Sequence, residues 1–222
     1  MLKVGLTGGI ASGKSVVGEM FVALGAHLAK ADKIAHALMR PGEPVYNEVV
    51  KHFGGAILNP DLSVNRARLA ELVFGTKQVS VGGVLAERMP RLDELNRIVH
   101  PAVIRAQEEW MGEVGRQDRG AVAIVEAALI VEAGAAIRFD CLIMVTCDEE
   151  QRVVRFASRQ KLPLDEARRE VTRRMAAQLP DAEKIKLANY VIDNSGSLEH
   201  TRGEVQRIWE ELHTRAHSGI QS

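Results

Sequence analysis

Apolar positions along the chain fall into two rhythms. Short runs apolar on one or both faces, Leu2-Lys3-Val4-Gly5-Leu6-Thr7, Ala26-His27-Leu28-Ala29, Ala121 to Val125, Asp140 to Val145 and Tyr190-Val191-Ile192, read as strands of a covered sheet. Between them the spacing is helical: Val16, Val17, Met20, Phe21 and Leu24; Ile34, Ala35 and Leu38; Val45 to Phe53; residues 66–74; Leu92, Leu95, Ile98 and Val99; then Val103, Ile104 and Trp110. Arg40-Pro41-Gly42-Glu43-Pro44 and Gly54-Gly55 break this pattern, and Leu58-Asn59-Pro60-Asp61 reads as a turn. Pro101 suits the first turn of a new helix, where a missing N–H costs nothing. The alanine-rich stretch Glu126 to Ala136 reads as a helix, and Gly75 to Gly83, without a clear period, as an exposed loop. Residues 149–159 and 165–178 form two arginine-rich helices joined by Gln160-Lys161-Leu162-Pro163, and a closing helix runs from Leu198 to Leu212 before a tail that frays. Short apolar strands alternating with helices specify a doubly wound, mainly parallel α/β sheet, whose ligands sit at the carboxyl ends of the strands. Those ends fall before Asp32, at Glu126 to Glu132 and at Asp193 to Gly196.

Composition narrows the partners. Lysine plus arginine (29) equals aspartate plus glutamate (29) across 222 residues, so no global basic field points to nucleic acid or an anionic membrane. Anion recognition must be local. No apolar run approaches the roughly 20 residues of a membrane helix. The two cysteines, Cys141 and Cys147, flank one strand and suit reduced thiols, so a soluble cytoplasmic protein is expected.

The first chemical signal is Gly8 to Ser15, G-G-I-A-S-G-K-S, which fits G-x-x-x-x-G-K-[ST] between a strand and a helix. In this pattern backbone N–H groups cradle phosphates, Lys14 reaches the β- and γ-phosphates, and Ser15 offers its hydroxyl to Mg²⁺. Gly8, Gly9, Ile10, Ala11, Ser12, Gly13, Lys14, Ser15 and Val16 are therefore the expected triphosphate site. Asp32 opens a helix just after the second strand. It can cap that helix, and it can also position and deprotonate an acceptor hydroxyl; the two roles are compatible. Lys30 is either solvated or a hold on an anionic substrate group. Arg152, Arg155 and Arg159 share one helix face, and Arg168, Arg169, Arg173 and Arg174 follow on the next helix. These form either a solvated face balanced by neighbouring acids or a lid that closes over the triphosphate and excludes water. The chain lacks an N-K-x-D guanine-reading motif, against a GTPase switch, and Val125-Glu126 is only a partial stand-in for the strand-ending D-E of motor ATPases.

Together these stretches resemble the dephospho-coenzyme A kinases from about Leu2 to about Val205. The similarity lies in K-V-G-L-T-G-G-I-A-S-G-K-S, Ala31-Asp32-Lys33-Ile34-Ala35, Ile98-Val99-His100-Pro101, Ala128-Leu129-Ile130-Val131-Glu132 and Ala188-Asn189-Tyr190-Val191-Ile192-Asp193-Asn194-Ser195-Gly196-Ser197. The resemblance implies a five-stranded sheet of the P-loop nucleoside-monophosphate-kinase type in a single domain spanning 1–222. Its core is 1–29, 117–148 and 187–213, with an acceptor-side helical insertion over about 32–116 and a lid over about 149–180. It further implies ATP-dependent phosphorylation of the 3′-hydroxyl of dephospho-coenzyme A, with Mg²⁺ on Ser15. Lys14, Asp32, Arg155 and Arg159 would be catalytic, Asn194 and Gly196 would join the ATP site, and Asp32, Lys30 and His100 would face the acceptor, although His100 before a proline can equally be structural. The protein would act as a monomer or small homo-oligomer. Lys30, Ala128, Gln160 and Asn189 depart from the family pattern and bear on acceptor geometry. The alternatives are another nucleoside or small-metabolite kinase on this scaffold, or a nucleotide-gated switch.

Overall fold

The computed structural model describes residues 1–74, 78–81, 84–87 and 91–218. Strand β1 (Leu2–Gly8) leads through the glycine-rich loop into helix α1 (Lys14–Ala23), followed by β2 (His27–Lys30), α2 (Ala31–Leu38), α3 (Pro44–Phe53), α4 (Arg66–Phe74), β3 (Gln78–Val81), β4 (Val84–Glu87) and α5 (Leu92–Gln117). Then come β5 (Val122–Glu126), β6 (Cys141–Thr146), α6 (Glu149–Gln160), α7 (Leu164–Ala176), α8 (Asp181–Ile185), β7 (Tyr190–Asp193) and α9 (Leu198–Ser218). Five strands pair in the order β2-β5-β1-β6-β7, all parallel, as the alternation of elements implies. Contacts divide the chain into two units, 1–31 with 110–222, and 32–109.

The first unit holds the parallel sheet. Alternation along β1 sends Val4 and Leu6 to one face, where they pack with Ile124, Ile143 and Ile192 under Val17 and Phe21 of α1 and Val205, Ile208 and Leu212 of α9. Ala123 and Val125 point to the other face, against Met111 and Val114 of α5. Burying both faces is why these strands read as apolar runs rather than alternating ones. Gly5 also faces this side, and a Cβ there would crowd Leu142 and Phe139, so the chain has no side chain at that point. The arginine-rich hairpin of α6 and α7 has its own small core of Val153, Phe156, Ala157, Ala167 and Val171, and that core includes Ile10 of the glycine-rich loop.

The second unit is helical. Val45, Tyr46, Val49 and Phe53 of α3 are buried, as are Ile57, Leu69, Val73, Val99 and Val103, and the Tyr46 hydroxyl donates to the Leu62 carbonyl at 2.6 Å. Across its surface His52 Nε2 meets Glu94 Oε2 at 2.5 Å, and Arg91 donates to the same oxygen from Nε and Nη2 at 2.9 and 2.6 Å.

Four sequence expectations are corrected. Glu126 to Ala136 is not a helix: β5 runs to Glu126, turns follow, and Gly134 enters the left-handed region at φ 64° before a 3-10 turn at Ala135–Arg138. Tertiary anchoring overrides the alanine propensity here, because Ile130 is buried and Glu132 is drawn to Lys184. Pro101 does not start a helix but lies inside α5, where the buried stripe Val99, Ala102 and Val103 carries the helix through the loss of one backbone bond. The expected loop over 75–83 contains paired backbone, β3 with β4 antiparallel, while Gly75 to Lys77 and Gly82-Gly83 lie outside the described residues. Helix α9 continues past Leu212 to Ser218 because Ala216 is buried one turn on; the rest of the expected tail, 219–222, lies outside the described residues.

Hydrogen bonds from Arg91 and then His52 hold the Glu94 carboxyl down to about 2. A depressed acid contributes stability above its unfolded value and loses it as pH falls through the folded one. Thermal melts should therefore show the difference between wild type and Glu94→Gln largest above about pH 4.5 and vanishing toward pH 2; a difference independent of pH would contradict this pairing.

Candidate active site

The loop between β1 and α1 is shaped around an anion that it does not supply. Gly13 caps α1 in the left-handed region at φ 94° with no side-chain bond, and no acidic residue stands in the first turn. Ala11 is also left-handed, at φ 53°. The first amides of α1 therefore stay free of carboxylate competitors at the positive end of the helix dipole. Lys14 Nζ folds back over the loop to donate to the Gly8 and Gly9 carbonyls at 2.8 and 3.0 Å. Ser15 Oγ donates to Glu126 Oε1 at 2.6 Å, so the acid ending β5 stands opposite the loop hydroxyl.

Three distant elements hold the loop. Asn194, just past β7 and buried, donates from Nδ2 to the Ser12 carbonyl at 2.8 Å, and Thr201 Oγ1 donates to Asn194 Oδ1 at 3.1 Å. A Cβ on Gly13 would collide with that amide, so closeness and positive φ both require glycine there. Arg155 of α6 spends its guanidinium on the Asn194 carbonyl (2.8 Å), Cys147 Sγ (3.2 Å) and the Ser12 carbonyl (3.5 Å). Arg152, one turn earlier, donates from Nε to the Cys147 carbonyl at 2.7 Å and from Nη2 to Asp181. Beside them Lys184 is fully buried and pairs with Glu132 at 2.6 Å, while the Leu179 N–H also donates to Glu132 at 3.2 Å. Burial raises both thiols above the usual range, Cys141 to about 11, so neither is a nucleophile near neutral pH.

Four buried side-chain polar atoms make no hydrogen bond among the described residues: Ser12 Oγ, Glu126 Oε2, Arg152 Nη1 and Lys184 Nζ, the last in its ion pair with Glu132. The other three surround the phosphate loop. Buried polar groups are left unbonded at a cost, and a cluster of them marks where a polar ligand completes the set.

The expected residues fall as follows. Gly8 to Val16 form the loop and the first turn of α1, with Asn194 clamped to it; Gly196 lies exposed in the neighbouring turn, where Ser195 is fixed by Asp193. Arg155 reaches the loop, whereas Arg159 is exposed with its guanidinium 5.7 Å from the Phe156 ring. Lys30 pairs with Glu19 at 2.7 Å and lies 3.9 Å from Glu126. Asp32 belongs to the other unit, exposed in the first turn of α2, and accepts no hydrogen bond among the described residues. One turn on, His36 is held below its usual value by burial, with Arg66 adding and Asp32 opposing. His100 is exposed on α5. Sequence reasoning reached Glu126 only as part of the strand end Glu126 to Glu132 and gave no role to Asp181, Lys184 or Thr201. Glu126 was legible as an acid ending a strand; the others act through partners that only the fold brings near.

The family model of dephospho-CoA kinase matches residues 2–200. The chain belongs to the dephospho-CoA kinase family. An Aquifex aeolicus protein named dephospho-CoA kinase is 38% identical, over 96% of this chain and 98% of its own length. Among solved structures, a Thermus thermophilus protein superposes with TM-score 0.73 at 30% identity, over 95% of this chain and 97% of its own. A dephospho-CoA kinase from Campylobacter jejuni superposes with TM-score 0.57 at 23% identity, covering 95% and 96%, which supports the fold alone.

Asn194→Ala would leave the buried Thr201 hydroxyl and the Ser12 carbonyl short of their bonds. It should lower stability by about 1–3 kcal/mol and raise the Kd for ATP more than it changes kcat. Calorimetry with steady-state kinetics checks this, and unchanged ATP binding would remove Asn194 from the site.

Proposed function

We propose that this kinase transfers the γ-phosphoryl group of ATP to the 3′-hydroxyl of dephospho-coenzyme A, releasing coenzyme A and ADP. The observation that carries the reading is the set of unbonded buried donors and acceptors around an uncapped glycine-rich helix start, in a chain of the dephospho-CoA kinase family.

The loop amides and Lys14 take the phosphates; on binding, Lys14 exchanges the Gly8 and Gly9 carbonyls for phosphate oxygens, an interaction worth more in a water-excluded site than in water. Because the loop is already held by Asn194 and Arg155, little reorganisation is left for the reacting complex. Asp32 orients the acceptor hydroxyl and takes its proton as oxygen bonds to γ-phosphorus and the bond to the β-phosphate oxygen breaks. Arg159, on the exposed face of α6, is free to swing toward phosphate when the lid closes, and His100 and Lys30 face the acceptor. Magnesium fits the donor set of Ser15 Oγ and Glu126, hard oxygens of which one is buried and unbonded. When bound, it offsets the charge of the phosphate oxygens. The helices 149–180 are the lid and 32–116 the acceptor-side insertion of one cytoplasmic kinase domain, a monomer or small homo-oligomer. Among the described residues, no helix is long and apolar enough to cross a membrane.

A coupled ADP-release assay with ATP and dephospho-coenzyme A, run beside adenosine and other nucleosides, should give turnover only with the first acceptor. Acceptor-independent ADP release would instead indicate a switch or ATPase. Lys14→Ala should abolish turnover. Asp32→Asn should cut kcat by about 10²–10⁴-fold with ATP binding intact; near-normal kcat would remove the carboxylate from the chemistry.

A further inference from the structure

Of the arginines on α6, the one buried deepest is given no phosphate contact of its own in the function proposed above. The Arg152 side chain is only 3% exposed, and its guanidinium is fixed on two sides, by the Cys147 carbonyl and by Asp181. Its remaining nitrogen, Nη1, is buried and makes no hydrogen bond among the described residues. That nitrogen lies directly over Gly9: a Cβ built there would collide with it, so the second glycine of the loop leaves the guanidinium room to approach the backbone. A buried guanidinium N–H without an acceptor carries a desolvation cost that a ligand oxygen would remove.

The position along the loop identifies that ligand oxygen. Lys14, the residue that reaches the β- and γ-phosphates in such loops, has its ammonium on the carbonyls of Gly8 and Gly9, at the same end as Arg152 Nη1. The opposite end, Ser12 and Gly13, is where Asn194 and Arg155 grip the backbone and α1 begins. A nucleoside triphosphate differs from a diphosphate only at the Gly9 end. Asp181 balances the charge of the arginine and fixes its fork, so the unbonded N–H adds no uncompensated cation beside Lys14.

We propose that Arg152, tethered by Asp181 and the Cys147 carbonyl, donates Nη1–H to the terminal phosphate of ATP and so sets the preference of the site for triphosphate over diphosphate. Arg155, by contrast, holds the loop through Nη1 and Nη2, which donate to the Ser12 carbonyl, Cys147 Sγ and the Asn194 carbonyl. The proposal rests on the ATP-binding reading above and assigns a contact within it.

Calorimetric titration of wild type and Arg152→Gln with MgATP and with MgADP tests it. Losing one charge-assisted bond should weaken ATP about tenfold or more, and ADP less than about threefold. A merely structural arginine would weaken both nucleotides by the same factor, and that result, or no change in either, would overturn the proposal. Should Arg152→Gln not fold, Arg152→Lys serves: it keeps the charge but cannot span both anchors and the phosphate, so the ATP-to-ADP preference should still fall, and an unchanged preference would overturn the assignment. Failure of wild type to bind ATP at all would sink the functional reading rather than the role of Arg152.

Discussion

The uncapped start of α1 is the constraint on which the first unit is built. A helix end normally satisfies its amides with a side-chain cap. Here Gly13 offers none, and the first turn has no acid, so the amides are kept for a ligand and the loop must be held by other means. The Asn194 amide on the Ser12 carbonyl is the central tie, because it fixes the residue just before the glycine cap without occupying any N–H the ligand needs. Thr201 and Arg155 in turn hold Asn194, joining β7, α9 and α6 to one carbonyl of the loop. Parallel order in the sheet makes this possible, since β1, β5, β6 and β7 all end on the same side.

Apolar packing couples the same loop to the arginine-rich hairpin. Ile10 belongs to the core of α6 and α7, so movement of those helices displaces a buried side chain of the phosphate loop as well as two guanidinium groups. Helices that met the loop only through charge could move without disturbing it; these, which share a core with it, cannot. The buried pair of Lys184 and Glu132 ties α8, which follows the hairpin, to the turn after β5. Removing one member of such a pair would leave an uncompensated buried charge, so the pair fixes where the hairpin returns to the sheet more than it adds net stability.

Much of this was legible in the sequence because it depends on local pattern. Five short apolar runs, a strand-loop-helix with G-x-x-x-x-G-K-S between, and arginines at spacings of three and four are properties of neighbouring residues. What could not be read is where long-range partners override local preference. Alanine content predicted a helix after Glu126, yet Ile130 and Glu132 are claimed by residues far along the chain, and the segment turns instead. Pro101 marked a boundary that the buried stripe of α5 does not respect. The same limit applies in the site: helical spacing put Arg152, Arg155 and Arg159 on one face and the resemblance put Arg155 and Arg159 first, but neither could say that Arg155 donates to the Ser12 and Asn194 carbonyls or that Arg152 is buried with one nitrogen unbonded among the described residues.

Zero net charge then takes on a specific meaning. The cations of the phosphate site are each met by fixed protein oxygens, Lys14 by loop carbonyls, Arg152 by Asp181, Arg155 by Asn194, and Lys30 by Glu19 with Glu126 close by. The donors are therefore largely hydrogen-bonded before ligand arrives, with Arg152 and Lys30 also charge-paired, and binding proceeds by exchange of partners. Exchange favours a ligand able to satisfy many donors at once in fixed positions, which a triphosphate does and a lone anion does not. The unbonded atoms at Ser12, Arg152 and Glu126 are the part of the site that exchange alone leaves open.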